Sequence, residues 1–131
     1  MLTVLSGCSQ RLPTLTVPFF DVGKGDCILL ECDGHAAMID AGFDNTANDI
    51  LSALADKGID TLDFLLLTHM DKDHVGGADK FLENLTIGAV YAPDYEKDAK
   101  QYQQYVDALA ASGMTAIHPA EPLTLSFAQA Q

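Results

Sequence analysis

Between Leu65 and Gly77 the chain reads LLLTHMDKDHVGG, which sets His69, Asp71, Asp73 and His74 within six consecutive positions directly after an apolar run. Carboxylates two residues apart repel one another unless positive charge lies between them, and a bound cation supplies that charge. Imidazole nitrogen suits zinc, iron or manganese, while carboxylate oxygen admits harder ions such as manganese and magnesium. His69 with Asp71, and Asp73 with His74, are therefore candidate ligands for two neighbouring metal ions. The plainer reading is a solvated acidic turn with two incidental histidines. The metal site is favoured because the preceding strand, the ligand spacing and Gly76-Gly77 agree with one another.

Such ligands need a backbone that turns them inward. In α/β proteins that place is the carboxyl end of a strand, and DFLLLTH reads as a strand covered on both faces. Upstream, TLTVPFF (14–20), CILLECD and AAMIDAG read as a three-stranded meander, joined by DVGKGD and by a tight DGH turn. NTANDILSALADKG follows as a helix, with Asn45 or Thr46 as its N-cap and Gly58 just past its end. Downstream come a helix over GGADKFLENL, a strand in IGAVYAP and a helix in KDAKQYQQYVDALAASG, which buries Tyr102, Tyr105, Val106 and Leu109. Short strands in MTAIH and LTLSF end the series. This order gives an α/β (α+β) chain with mixed sheets and helices over one face.

A chain of 131 residues is long enough for one core, with 14–131 as the domain and 1–13 as a signal remnant or disordered N-terminus. Nineteen acidic against seven basic residues, a net charge of −12, disfavour a sequence-independent grip on nucleic acid or anionic lipid. An anionic substrate needs a local positive centre, which bound divalent ions provide. No uncharged stretch approaches the ~20 apolar residues of a membrane-spanning helix. Leu5-Ser6-Gly7-Cys8 resembles a bacterial lipobox, so Cys8 is a candidate lipidation site and the expected location is extracytoplasmic with a lipid anchor as the membrane contact. Cys27 and Cys32 point to opposite faces of one strand and read as small buried apolar residues.

DVGKGD reads first as a hairpin turn enabled by Gly23 and Gly25. Asp40 ends the third strand, where a turn-forming role before Gly42 is the plain reading. His35 is expected to be exposed, and His118 is a weak further ligand candidate.

THMDKDHVGG resembles the His-x-His-x-Asp-His signature of the metallo-β-lactamase superfamily, with Asp71 where most members have the second histidine. That variant, with FFDVGKGDCILLE and AAMIDAG in the same order, resembles the ComEC-like hydrolase domain over about Thr14 to Phe127. The resemblance implies an αββα sandwich with a binuclear site of two divalent metal ions, zinc or manganese, at one edge. It implies that His69 and Asp71 bind one metal and that Asp73 and His74 bind the other, Asp73 also orienting the attacking water as the catalytic residue. Asp40 would hold a histidine ligand in its tautomer. Asp21, Lys24 or Asp26 would lie near the metals and touch substrate. The family's later metal-bridging aspartate, in a Gly-Asp pair, has no counterpart before Gln131, so the expectation is a fold truncated after about its first half.

Two functions are weighed on this basis. One is a metal-dependent hydrolase of phosphoester or phosphodiester bonds, acting on a small molecule or on nucleic acid, the latter disfavoured by charge. The other is a non-catalytic half-domain with an incomplete metal site that self-associates as a homo-oligomer, in which case the chain is inactive. A DNA-processing role in competence rests on family analogy alone.

Overall fold

In the computed structural model of the protein, which describes residues 12–128, Asp33 and Gly34 both take positive φ (51° and 78°). That pair of left-handed positions is what a type I′ turn requires, and it closes β1 (Ile28–Cys32) onto β2 (His35–Ile39) as an antiparallel hairpin. The segment before β1 pairs with it at Thr16↔Glu31 and Phe19↔Ile28, completing the expected meander only as isolated bridges. Pro18 accounts for the gap. Its carbonyl accepts Leu29 N–H at 2.9 Å, but it has no N–H to return.

A short β3 (Thr61–Leu62) forms ahead of the expected DFLLLTH strand, which narrows to β4 (Leu65–Leu66), and the expected IGAVYAP strand gives two short ones, β5 (Thr86–Ile87) and β6 (Val90–Tyr91). The first member of each pair joins a small parallel sheet, β3-β5, and the second joins the main sheet, ordered β1-β2-β4-β6 with β2, β4 and β6 parallel. Gly88 sits at the second crossing, where a Cβ would lie 2.6 Å from Asp63 O. A side chain there would block the crossing.

The main sheet buries one row completely: Leu29, Met38, Leu65 and Val90 are register partners and each is 0% exposed. They share a core with Ile50 and Leu54 of α1 (Ala47–Asp56), Phe81 and Leu82 of α2 (Ala78–Asn84), and Tyr105 and Ala108 of α3 (Lys100–Ala111). The next row, Ile28, Ile39, Leu66 and Tyr91, is only half-buried, so the sheet is not covered equally on both faces as its apolar run suggested. Tyr102, Val106 and Leu109 pack on the core with Tyr105, as their spacing indicated.

Helix ends follow local chemistry. Thr46 is the N-cap of α1, although its hydroxyl donates to Phe43 O rather than accepting a helix N–H. At the other end Gly58 N–H donates to Ala55 O and Ile59 N–H to Leu54 O, a Schellman motif with Gly58 at φ 73°. Toward the C-terminus, MTAIH contributes only the bridge Tyr91↔Ile117, and LTLSF forms no strand. Most of Leu123–Phe127 is exposed and lacks a ladder partner, so propensity alone does not make it a strand. Cys8 and its lipobox lie outside the described residues. No helix among the described residues is long and apolar enough to cross a membrane.

Candidate metal centre

Parallel β2 and β4 end side by side, and the candidate centre is built on the residues just beyond them. Asp40 N–H donates to Leu66 O at 2.8 Å, extending the ladder by one residue before the backbone turns at φ 58°. Aspartate tolerates that left-handed conformation better than most side chains. Asp40 is 1% exposed and both its oxygens are engaged. Oδ1 accepts Thr68 N–H at 2.7 Å, while Oδ2 accepts the Thr68 hydroxyl at 2.6 Å and faces His74 Nδ1 at 2.9 Å. Three donors offset the cost of burying this carboxylate.

These contacts assign the imidazole protons. A carboxylate only accepts, so His74 Nδ1 carries the hydrogen, and in the neutral ring Nε2 keeps its lone pair. Thr68 gives its one hydroxyl hydrogen to Asp40, so its oxygen accepts from His69 Nδ1 at 3.1 Å, and His69 Nε2 also keeps its lone pair. One buried carboxylate thus orients two imidazoles, one directly and one through a hydroxyl. The two rings lie with centroids 3.7 Å apart, tilted by 45°.

His69, Asp73 and His74 each offer a ligand atom within 4.8 Å of the other two, and Asp73 Oδ2 lies 3.8 Å from His74 Nε2. A second trio, Asp26, Asp40 and His74, meets the same limit, with Asp26 Oδ2 3.8 Å from His74 Nδ1. Asp71 stands apart from both trios. Its Oδ2 is 3.7 Å from His69 Nε2, and its Oδ1 forms an ion pair with the Lys97 ammonium. Two imidazoles with free Nε2 atoms beside a carboxylate form a donor set that fits zinc or manganese.

The loop is held in shape by backbone. His74 and Val75 N–H both donate to Asp71 O at 2.9 Å, and Ala41 N–H donates to His74 O at 2.7 Å. A Cβ on Gly76 would lie 2.2 Å from Lys72 O, and one on Gly77 would lie 2.5 Å from Ala41 O. Both glycines are there for close approach. DVGKGD turns at Gly23-Lys24, with Gly23 at φ 78° and its N–H on Asp21 Oδ1. Asp21 and Lys24 are exposed on that turn, whereas Asp26 reaches the centre. Asp26 N–H donates to Asp73 O, and a Cβ on Gly25 would lie 2.1 Å from that same oxygen.

Thr68, Tyr95 and Lys97 belong to the site's surroundings without having been singled out by sequence. Thr68 was legible as a small hydroxyl residue directly before a ligand-type histidine at a strand end. Tyr95, whose hydroxyl oxygen accepts Met70 N–H at 2.8 Å, and Lys97 lie in DYEKD, which shows no motif. His118 lies outside both trios with Nδ1 on Ala92 O at 2.9 Å, and His35 is exposed and paired with Asp63. Cys27 is buried, its Sγ 3.5 Å from Met38 Sδ, and burial, aided by the Asp40 charge, pushes its thiol up to about 12. It stays a protonated thiol, as its reading as a small apolar residue requires.

Among curated proteins, the chain is 30% identical to a hydroxyacylglutathione hydrolase of Aeromonas hydrophila over 95 residues, 72% of this chain and 35% of that protein. It is also 30% identical to Recombination protein 2 of Haemophilus influenzae over 111 residues, 81% of this chain and 14% of that protein. The chain therefore spans about a third of the length of the hydroxyacylglutathione hydrolases it matches. Among solved structures, a Thermotoga maritima protein described as a metallo-beta-lactamase superposes with a TM-score of 0.54 at 18% identity, covering 87% of this chain and 63% of that one. Its likeness concerns the fold, and the mixed sheets and three helices of this chain correspond to part of it. The family model for the metallo-beta-lactamase superfamily matches residues 20–125, from the strand that bridges to β1 through the His/Asp loop and past α3. The chain belongs to the metallo-beta-lactamase superfamily.

Proposed function

We propose that the His69–His74 loop is the metal-binding core of a metal-dependent hydrolase of the ComEC-like branch, acting on phosphoester or phosphodiester bonds. The observation that carries this reading is the Asp40–Thr68 arrangement, which leaves Nε2 of both His69 and His74 free beside the Asp73 carboxylate. Hydroxyacylglutathione hydrolase, a hydrolase by name, and Recombination protein 2, whose match spans most of this chain, support it. His69 with Asp71 would hold one divalent ion, and Asp73 with His74 would hold the other. Such ions, zinc or manganese, supply a water of lowered pKa and positive charge for an anionic transition state.

The remaining chemistry belongs to the chain. Asp73 accepts a hydrogen from the attacking water and so aims its lone pair. Asp40 keeps the proton on Nδ1 of both imidazoles, and Asp26 lies on the same side of His74. A lipid anchor at Cys8 would set this activity outside the cytoplasm. A second reading, a metal-binding module that self-associates, is favoured by the exposed Leu15, Val17 and Phe19 alternating along the outer segment of the sheet.

The test is metal content by mass spectrometry together with hydrolysis of bis-p-nitrophenyl phosphate by the wild type and Asp73→Asn. The expected result is two divalent ions per wild-type chain and a rate at least ~100-fold lower in the variant. Equal rates in the two proteins sink the hydrolase reading, and a metal-bound, inactive dimer in sedimentation supports the module.

A further inference from the structure

Beside the candidate centre lies a cavity of about 270 Å³, lined by Asp71, Lys72, Asp73, Lys97, Ala99 and Gln101. The chain has only seven basic residues, and two of them line this one cavity. Lys57 and Lys80, by contrast, are paired elsewhere with Glu31 and Asp44. The cavity also abuts the start of α3, whose N-cap Ala99 makes no side-chain capping bond and whose first turn holds no acidic residue. That helix end adds partial positive charge on the same side.

We propose that Lys97 is the specificity-determining cation of this site, binding an anionic oxygen of the substrate, a phosphate group, in that cavity. The inference rests on the hydrolase reading above. Two carboxylates and two ammonium groups balance in the lining. Once Asp71 and Asp73 serve divalent ions, the ammonium groups are left as surplus positive charge facing the cavity, next to the reacting bond. Lys97 is placed for this by Tyr95, two residues earlier, whose hydroxyl oxygen on Met70 N–H pins the segment to the metal loop. Asp71 holds the ammonium at the cavity wall in a charge-assisted contact. With both carboxylates engaged by divalent ions, Lys72 and Lys97 at this one cavity favour an oxyanion over a neutral ester there.

The test is calorimetric titration of inorganic phosphate into the wild type, Lys97→Met, Lys97→Arg and Lys57→Met. It is run once on manganese-loaded protein and once in EDTA, with manganese per chain measured in parallel. Lys97→Met is expected to bind phosphate about tenfold more weakly at unchanged manganese content, since a charge-assisted contact is lost. Lys97→Arg is expected to stay within about twofold of the wild type and Lys57→Met to match it. Equal affinity in wild type and Lys97→Met, a loss that tracks lost manganese, or no phosphate binding by the wild type in either titration overturns the proposal. Failure of every protein to retain manganese sinks the hydrolase reading, and the Lys97 proposal, which rests on it, falls with it.

Discussion

The two ends of the parallel pair β2 and β4 each carry a histidine–carboxylate contact, and the two have nearly the same length. Where the strands begin, His35 Nδ1 lies 2.8 Å from Asp63 Oδ2; where they end, His74 Nδ1 lies 2.9 Å from Asp40 Oδ2. Their surroundings differ. The His35 and Asp63 side chains are 51% and 36% exposed, those of His74 and Asp40 11% and 2%. At the exposed end water competes for every lone pair, so the contact adds little and specifies nothing. At the buried end Asp40 also takes two hydrogens from Thr68, and the pair dictates which nitrogen of each imidazole is free. A distance alone does not make a site; burial and the partners of the partner do.

The contrast is broken most directly by Asp40→Ala against Asp63→Ala. Losing the buried carboxylate is expected to lower stability by about 3–5 kcal/mol, and losing the exposed one by less than about 1 kcal/mol, measured by urea denaturation. Similar values for the two would refute the distinction between the buried and the exposed pair. Gly76→Ala, which drives a methyl into Lys72 O and Asp44 N–H, is expected to cost about 3 kcal/mol and to abolish tight manganese binding. Gly34→Ala at the opposite end meets no neighbour, and its only cost, about 1–2 kcal/mol, comes from φ 78°.

Thr68→Val keeps the shape and removes the hydroxyl that links Asp40 to His69. It is expected to cost about 1–2 kcal/mol. Nitrogen-15 shifts should show His69 losing its single tautomer while His74 retains its own. The smallest effect concerns Tyr105, whose phenol is buried without a hydrogen-bond partner among the described residues. Burial, with Tyr102 beside it, pushes it up to about 12 from 10.0. The unfolded chain ionises first, so stability is intact below pH 10 and falls by up to about 1.4 kcal/mol per unit as pH rises toward 12. Tyr105→Phe should flatten that alkaline fall and leave neutral-pH stability unchanged or slightly raised.

How much of this was legible in the sequence depended on the kind of signal. The I′ turn at Asp33-Gly34, the helix stop at Gly58 and the apolar stripe of α3 are local, and local chemistry decided them. The unexpected β3 ahead of DFLLLTH and the division of IGAVYAP into β5 and β6 were not legible, because two-residue strands leave no periodicity to read. Propensity overstated the end of the chain, where Leu123 to Phe127 finds no ladder partner. At the centre, the spacing from His69 to His74 showed which side chains share a loop but not how they divide. That Asp71 faces Lys97 and Asp26 faces His74 are contacts across 26 and 48 residues, beyond any periodicity.

The near-contact of Gly25 with the Asp73 carbonyl bears on the order of assembly. Because that oxygen occupies the space a side chain at position 25 would need, the hairpin loop and the His/Asp loop can settle only against each other. The ring they close spans nearly fifty residues, and chain entropy makes such a closure late and cooperative. Ions added to a refolding chain would therefore meet a His/Asp loop not yet held in shape until the DVGKGD turn has docked, so capture should lag behind formation of β1 and β2 rather than nucleate it.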